Sequence, residues 1–137
     1  MNNFFFLLVA IPFIGCSSGN NIQSPDGTWI MFRISGIELN KIQLVKGMPV
    51  FHFDLAAERF SGHDGCNQLM SAITLSDSTI TFGRIIHTEM ACPDMELENA
   101  VLKVLNENTL RYEVKDSVLT LTSSDGSKMQ FTRDIQN

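Results

Sequence analysis

Short segments in which apolar and polar residues alternate follow one another along most of the chain. A repeat of two residues is typical of strands that bury one face. A clear case lies just after Pro49, where Phe51 and Phe53 alternate with His52 and Asp54. The pattern predicts strands at 29–34, 49–54, 59–63, 69–75, 79–82, 85–89, 110–114, 118–122 and 128–132, with a further short strand and loop within 36–47.

The period changes to that of a helix over residues 93–106. Four apolar residues recur there at helical spacing, namely Leu97, Val101, Val104 and Leu105. They are expected to form the buried face of the helix, against Phe51 and Phe53. One helix among about seven to nine antiparallel strands predicts an α+β domain.

The start of this helix carries several carboxylates. Pro93 suits the first helical position, and acidic residues near it complement the positive end of the helix dipole. The acidic residues in question are Glu89, Asp94, Glu96 and Glu98. They are interpreted as solvated dipole partners, not as an acid/base pair.

The first part of the chain has a different character. Residues 4–14 are apolar apart from Pro12, and the first fifteen residues carry no charged side chain. At ~1.5 Å per residue a helix of this length would span about 17 Å, too short for a hydrocarbon core of ~30 Å. The length fits the hydrophobic region of an export signal. A buried N-terminal strand or helix is the alternative.

The run ends in Phe13-Ile14-Gly15-Cys16, which resembles the bacterial lipobox, with Phe13 where Leu is usual. The resemblance implies cleavage after Gly15, diacylglycerol on Cys16 and acylation of the new N-terminus. We therefore expect a lipoprotein signal peptide at 1–15, a lipidated cysteine and flexible tether at 16–25, and a folded domain at 26–135. Ser17, directly after the cysteine, favours anchoring in the outer membrane, facing the periplasm.

The length, the net charge and the absence of two functional motifs exclude several classes of function. The 137 residues fit one domain, and the net charge is -5 with no basic cluster, which argues against a surface for nucleic acid. The sequence contains no phosphate-binding glycine loop and no H-E-x-x-H. We expect no enzymatic activity and no cofactor.

Three stretches together resemble the META domain family of HslJ-like bacterial envelope proteins. They are Gly27-Thr28-Trp29, then Phe60-Ser61-Gly62 with Gly65-Cys66-Asn67, then Thr88-Glu89-Met90-Ala91-Cys92-Pro93. The similarity covers roughly residues 24–131. It implies a curved antiparallel sheet or partial barrel wrapped on one helix, in agreement with the pattern of strands.

The resemblance also implies a class of function. Family members have no established enzymatic activity, and several are linked to envelope stress, secretion-related traits or virulence. We expect a monomeric, lipid-anchored protein that binds a protein partner or an apolar ligand; no small-molecule substrate is indicated. A thiol-dependent enzyme or redox protein using Cys92, or a purely structural or inhibitory module, are the alternatives.

With Cys16 consumed by lipid, Cys66 and Cys92 remain. In an exported protein a disulfide is the first expectation, and in the chain-entropy model it would contribute ~3–4 kcal/mol. Two alternatives stay open: a zinc site that adds His63 and His87, and a nucleophilic Cys92 with one of these histidines as base.

Two further residues are interpreted as structural. Asn67, directly after Cys66, is expected to cap a turn or to adopt a positive φ. Trp29 is expected to pack in the core or at a sheet edge.

Overall fold

Nine strands and one α-helix make up the part of the chain that the structure, a computed structural model, describes, residues 23–135. The predicted signal peptide, Cys16 and most of the tether lie outside these residues. The strands are β1 (Gly27–Ile34), β2 (Val50–Asp54), β3 (Arg59–His63), β4 (Gln68–Ser76), β5 (Thr79–Phe82), β6 (Ile86–His87), β7 (Thr109–Lys115), β8 (Val118–Thr122) and β9 (Lys128–Arg133). The helix α1 spans Glu96–Leu105.

Eight of the strands close into an antiparallel barrel. Strands adjacent in sequence pair with each other from β1 to β5 and from β7 to β9, while β5 pairs with β7 and β1 pairs with β9. Strand β6 is additional and pairs with the first half of β4. The predicted sheet-plus-helix class is confirmed, but the barrel is closed where a curved sheet or partial barrel was expected. Closure pairs the first strand with the last, which removes both exposed sheet edges.

The barrel interior is filled by side chains. Phe51, Phe53, Phe60, Phe82 and Phe131 form an aromatic cluster with ring centroids 4.9–6.5 Å apart. Each of these rings is at most 1% exposed. An eight-stranded barrel has an interior just wide enough for its own side chains, so the centre is a packed core.

The helix adds its apolar face to this core. Leu97, Val101, Val104 and Leu105 are buried, as predicted, and belong to the same cluster as the phenylalanines. The helix begins at Glu96 and not at Pro93; the Glu96 amide donates to Asp94 Oδ1 at 3.0 Å. Asp94 thus satisfies one of the free amides of the first turn.

The segment 36–47 contains no strand, contrary to the prediction. It holds an isolated bridge between Ile34 and Ile37 and a 3₁₀ turn at Leu39–Lys41. Ile42 and Leu44 then pack against the core cluster. Gly36 and Gly47 bound the segment with a φ of +82 each, which breaks extended backbone at both ends. The predicted strand at 85–89 is likewise reduced to β6.

Candidate functional site

A disulfide joins Cys66, in the turn after β3, to Cys92, in the segment that leads into α1. The two Cα atoms are 6.2 Å apart and 26 residues apart in sequence. Both sulfurs are therefore occupied, so this form offers neither a Cys92 thiolate nor two thiolates for zinc. Among residues 23–135 there is also no group of three or more His, Cys, Asp or Glu placed to hold a metal ion.

Two glycines shape the turn that carries Cys66, each for a different reason. A Cβ on Gly62 would collide with the backbone carbonyl of Val50 on the neighbouring strand. Gly65 has a φ of +97, and a Cβ there would also lie 2.6 Å from Leu44 Cδ2. The spacing of the Ser-Gly-x-x-Gly-Cys-Asn motif is thus set by a close strand approach and a left-handed turn.

Asn67 is the centre of the site. Its side chain is fully buried, and Nδ2 donates to Glu98 Oε2 at 3.0 Å and to Cys92 Sγ at 3.3 Å. Its Oδ1 accepts from the Thr88 hydroxyl at 2.9 Å and from the Met90 amide at 2.8 Å. Asn67 therefore connects the turn between β3 and β4 with the segment after β6 and with the helix. The predicted turn role is wrong: the turn uses Gly65 for its positive φ, while the Asn67 amide bonds to distant segments.

Glu98 is the second buried polar residue here. It was expected to be solvated, yet it is 4% exposed, and its Oε1 lies 3.2 Å from His87 Nδ1. His87 pairs with Leu69 across β4 and β6, so its ring shares the inner face of the sheet with that leucine. The sequence contained a signal for this burial. Glu98 lies three residues before Val101 and seven before Leu105, which places its carboxylate on the apolar face of the helix.

Asp64 organises the turn itself. Its Oδ1 accepts from the backbone amides of Cys66 at 2.9 Å and Asn67 at 2.7 Å. Its other oxygen, Oδ2, is buried and has no hydrogen-bond partner within the described chain. The neighbouring His63 accepts from the Gly65 amide at 3.1 Å, and burial, then the charge of Lys46, lowers its pKa below 6.5. Both side chains thus accept hydrogen bonds from backbone amides of the turn.

Trp29 lies at a different place in the barrel and is fully buried, as the core interpretation predicted. Its indole N–H donates to the Pro25 carbonyl at 2.8 Å. The Arg133 guanidinium stacks over the ring at 4.3 Å from its centroid and also donates to the Asp26 carbonyl at 3.0 Å. These contacts attach the start of the described chain to the domain.

An open depression lies outside the barrel, on the face of β3, β4 and β6. This Met70–Ile86 groove has a volume of about 950 Å³ and is lined by residues that include Ala57, Arg59, Met70, Ala72, Arg84 and Ile86. Met70 is 51% exposed and Ile86 is 64% exposed. A shallow groove with exposed apolar side chains is a candidate contact surface.

Comparisons with known proteins agree with this architecture. The family model of the META domain matches residues 20–136. Among solved structures, an NMR structure has a TM-score of 0.63 at 20% identity, covering 81% of this chain and 92% of that one. An NMR structure of a protein from Burkholderia xenovorans has a TM-score of 0.62 at 20% identity, covering 81% and 83%.

A third likeness is to the crystal structure of a duf4847 family protein from Bacteroides vulgatus. It has a TM-score of 0.53 at 17% identity and covers 82% of this chain and 95% of that one. At these identities the three structures support the fold alone. No curated protein sequence matches the chain. Within residues 23–135 the helix is too short and too polar to span a bilayer.

Proposed function

Since the chain belongs to the META domain family, we propose that it is a non-enzymatic, lipid-anchored binding protein of the bacterial cell envelope. In this proposal residues 1–15 direct export, Cys16 carries the lipid, and the domain faces the periplasm from the outer membrane. The domain then contacts a protein partner or an apolar ligand there as a monomer.

The observation that carries the proposal is the Cys66–Cys92 disulfide. Disulfides persist in oxidising compartments such as the periplasm and are rare in the cytosol. The bridge ties the turn after β3 to the segment that leads into α1. A disulfide of this kind is expected in an exported protein. It therefore supports the interpretation of residues 4–14 as an export signal and of Cys16 as the lipid site.

A binding role is favoured over catalysis by the state of the buried polar groups. Asn67 and His87 each contact the Glu98 carboxylate, and Cys92 is held in the disulfide. Glu98 faces a space of only about 10 Å³, while His87 lines one wall of an open depression of about 580 Å³ beside α1. The barrel centre is filled by phenylalanine rings, so a partner would meet the protein on its outer surface.

Metabolic labelling tests the anchor. Cells that express the full chain are grown with a clickable palmitate analogue, and the protein is isolated and assayed for label and for partitioning into detergent. We expect label on the wild type and on Ser17→Ala, and none on Cys16→Ala, because Cys16 is the acceptor sulfur. An unlabelled wild type, or label that survives Cys16→Ala, would overturn the lipid anchor.

A thiol count tests the non-enzymatic assignment. The mature protein, isolated without reductant and denatured, is titrated for free thiols. We expect none, since Cys16 carries lipid and Cys66 and Cys92 are bridged. Two titratable thiols would contradict the bridge and would favour a thiol-dependent enzyme or redox protein acting through Cys92.

A further inference from the structure

The outer face of β3, β4 and β6 combines apolar and basic side chains in a defined order. Met70 and Ile86 are direct partners across β4 and β6, so their side chains lie side by side on the outer surface. Ala72, two residues after Met70, shares this face and is the cross-strand partner of Arg59 on β3. Arg84 lies two residues before Ile86, with buried Ile85 between them.

The two arginines lie on opposite sides of β4, Arg59 on β3 and Arg84 just before β6. Both are exposed, and neither forms an ion pair within residues 23–135. Glu58 is the one acidic residue among those that line the groove. The chain as a whole has 15 acidic and 10 basic residues. The net charge of this face is therefore opposite in sign to that of the rest of the protein.

The start of the described chain lies near one end of the groove. Asp26 Oδ1 accepts from the Leu55 amide at 3.0 Å, in the turn between β2 and β3. The same turn continues through Ala57 and Glu58, which line the groove, to Arg59. A tether that leaves the domain at residue 25 therefore leaves it beside the groove.

We propose that the Met70–Ile86 groove is the face with which the anchored domain rests on a bilayer containing anionic lipid. The orientation rests on the lipid anchor proposed above. Eight residues, 17–24, lie between Cys16 and Pro25, so nine steps of ~3.3–3.6 Å let the tether reach at most about 32 Å from the membrane. The tether thus limits how far the domain can move from the lipid surface, and it leaves the domain on the side of the groove.

Electrostatics then selects this face over the others. An acidic protein is repelled by an anionic surface, whereas exposed Arg or Lys near that surface is attracted to it. These interactions extend over about 10 Å at moderate salt, so the sign of the nearest face matters more than the net charge. Arg59 and Arg84 meet the headgroups, while Met70 and Ile86 enter the interface between headgroups and acyl chains.

Vesicle sedimentation tests the surface separately from the anchor. The probe is the chain from Ser17 onward, which lacks Cys16 and retains every strand and the helix. Vesicles are either phosphatidylcholine alone or an equal mixture with phosphatidylglycerol. We expect binding to the mixed vesicles at low salt, and little binding to phosphatidylcholine alone or at ~0.5 M salt, where surface charges are screened.

Matched variants assign the binding to this face. Arg59→Glu with Arg84→Glu is expected to weaken binding about tenfold or more, since each basic residue contributes strongly near an anionic surface. Arg33→Glu with Arg111→Glu changes the net charge equally at exposed positions outside the groove, and it should weaken binding much less. Ile86→Ser, which removes a 64% exposed side chain, should also weaken it.

Three outcomes would overturn the proposal: no binding to mixed vesicles, equal binding to phosphatidylcholine alone, or equal losses in the two double variants. Circular dichroism of each variant confirms that the loss of binding is not a loss of fold. Because the probe carries no lipid, these outcomes are independent of the palmitate labelling. A labelled Cys16 with no vesicle binding would leave the anchor intact and refute this face.

Discussion

Replacing Asn67 with alanine removes the residue that connects three segments of the site. The carboxamide has two donors and one acceptor oxygen, and in the folded chain it bonds to Glu98, Cys92, Thr88 and Met90. Alanine keeps the backbone but leaves those groups without their partner. We expect a large loss of stability with the barrel strands retained.

The magnitude follows from which partners can reach water. Glu98 is 4% exposed, and the loss of a hydrogen bond to a buried charged group costs roughly 2–3 kcal/mol. The Thr88 hydroxyl and the Met90 amide lie in an exposed segment, so water replaces part of what they lose, and together they add roughly 1 kcal/mol. The expected decrease in the free energy of unfolding is about 3–4 kcal/mol, a large share of the ~5–15 kcal/mol of a typical domain.

Equilibrium unfolding in guanidinium chloride, followed by fluorescence, measures this decrease. Trp29 is the only tryptophan of the chain and is fully buried, so its emission reports on unfolding of the barrel. The midpoint should fall while the slope of the transition is unchanged, because the same surface is exposed on unfolding.

Two further variants separate the hydrogen bonds from other effects. Asn99→Ala makes the same change at an exposed position of α1, and it should alter stability by less than about 0.5 kcal/mol. Asn67→Asp keeps the shape but places a carboxylate oxygen against Glu98, so at neutral pH it should be at least as harmful as alanine. A loss below about 1 kcal/mol for Asn67→Ala would refute the reasoning.

Three more predictions concern stability. Cys66→Ser and Cys92→Ser should each cost about 3–4 kcal/mol in chemical unfolding, with the double variant no worse, because one bridge closes the loop of 26 residues; unequal single variants would contradict this. Val101→Asp places an unpaired charge at a fully buried position of α1 and should lower the melting temperature by more than about 10 °C. A shift of only a degree or two would show that this face of the helix is not packed against the core. Burial, then the charge of Lys46, lowers the pKa of His63 below 6.5, so the unfolded chain binds a proton first and stability falls as the pH drops below 6.5. His63→Asn should reduce this fall between pH 7.5 and 5.5, as measured by chemical unfolding at each pH. An unchanged slope would assign the fall to other groups.

The sequence alone determined most of the local structure. Strands at 59–63, 79–82 and 118–122 were predicted with the bounds that β3, β5 and β8 have, because alternation of apolar and polar residues is a local property that also sets which face is buried. The buried face of α1 was predicted for the same reason. The motifs around the two cysteines indicated the family through the resemblance. With Cys16 assigned to lipid, Cys66 and Cys92 remained as the expected bridge partners.

The tertiary structure decided how these pieces join. Closure of the barrel depends on the pairing of β1 with β9, which lie about a hundred residues apart in sequence, and alternation does not say which strands become neighbours. The segment 36–47 has apolar residues at suitable positions, but glycines of positive φ at both ends keep it out of the sheet.

The candidate site shows the same difference between local sequence pattern and tertiary contact. The sequence placed Asn67 beside Cys66 and Glu98 in the first turn of the helix, and each residue alone had an ordinary local explanation. Only the fold brings them within 3.0 Å of each other, across 31 positions of the chain. A buried carboxylate is stable only when partners are supplied, and here they come from Asn67 in the turn after β3 and from His87 on β6. Hydrophobic periodicity is therefore encoded locally, whereas the pairing of buried polar groups is a property of the assembled barrel.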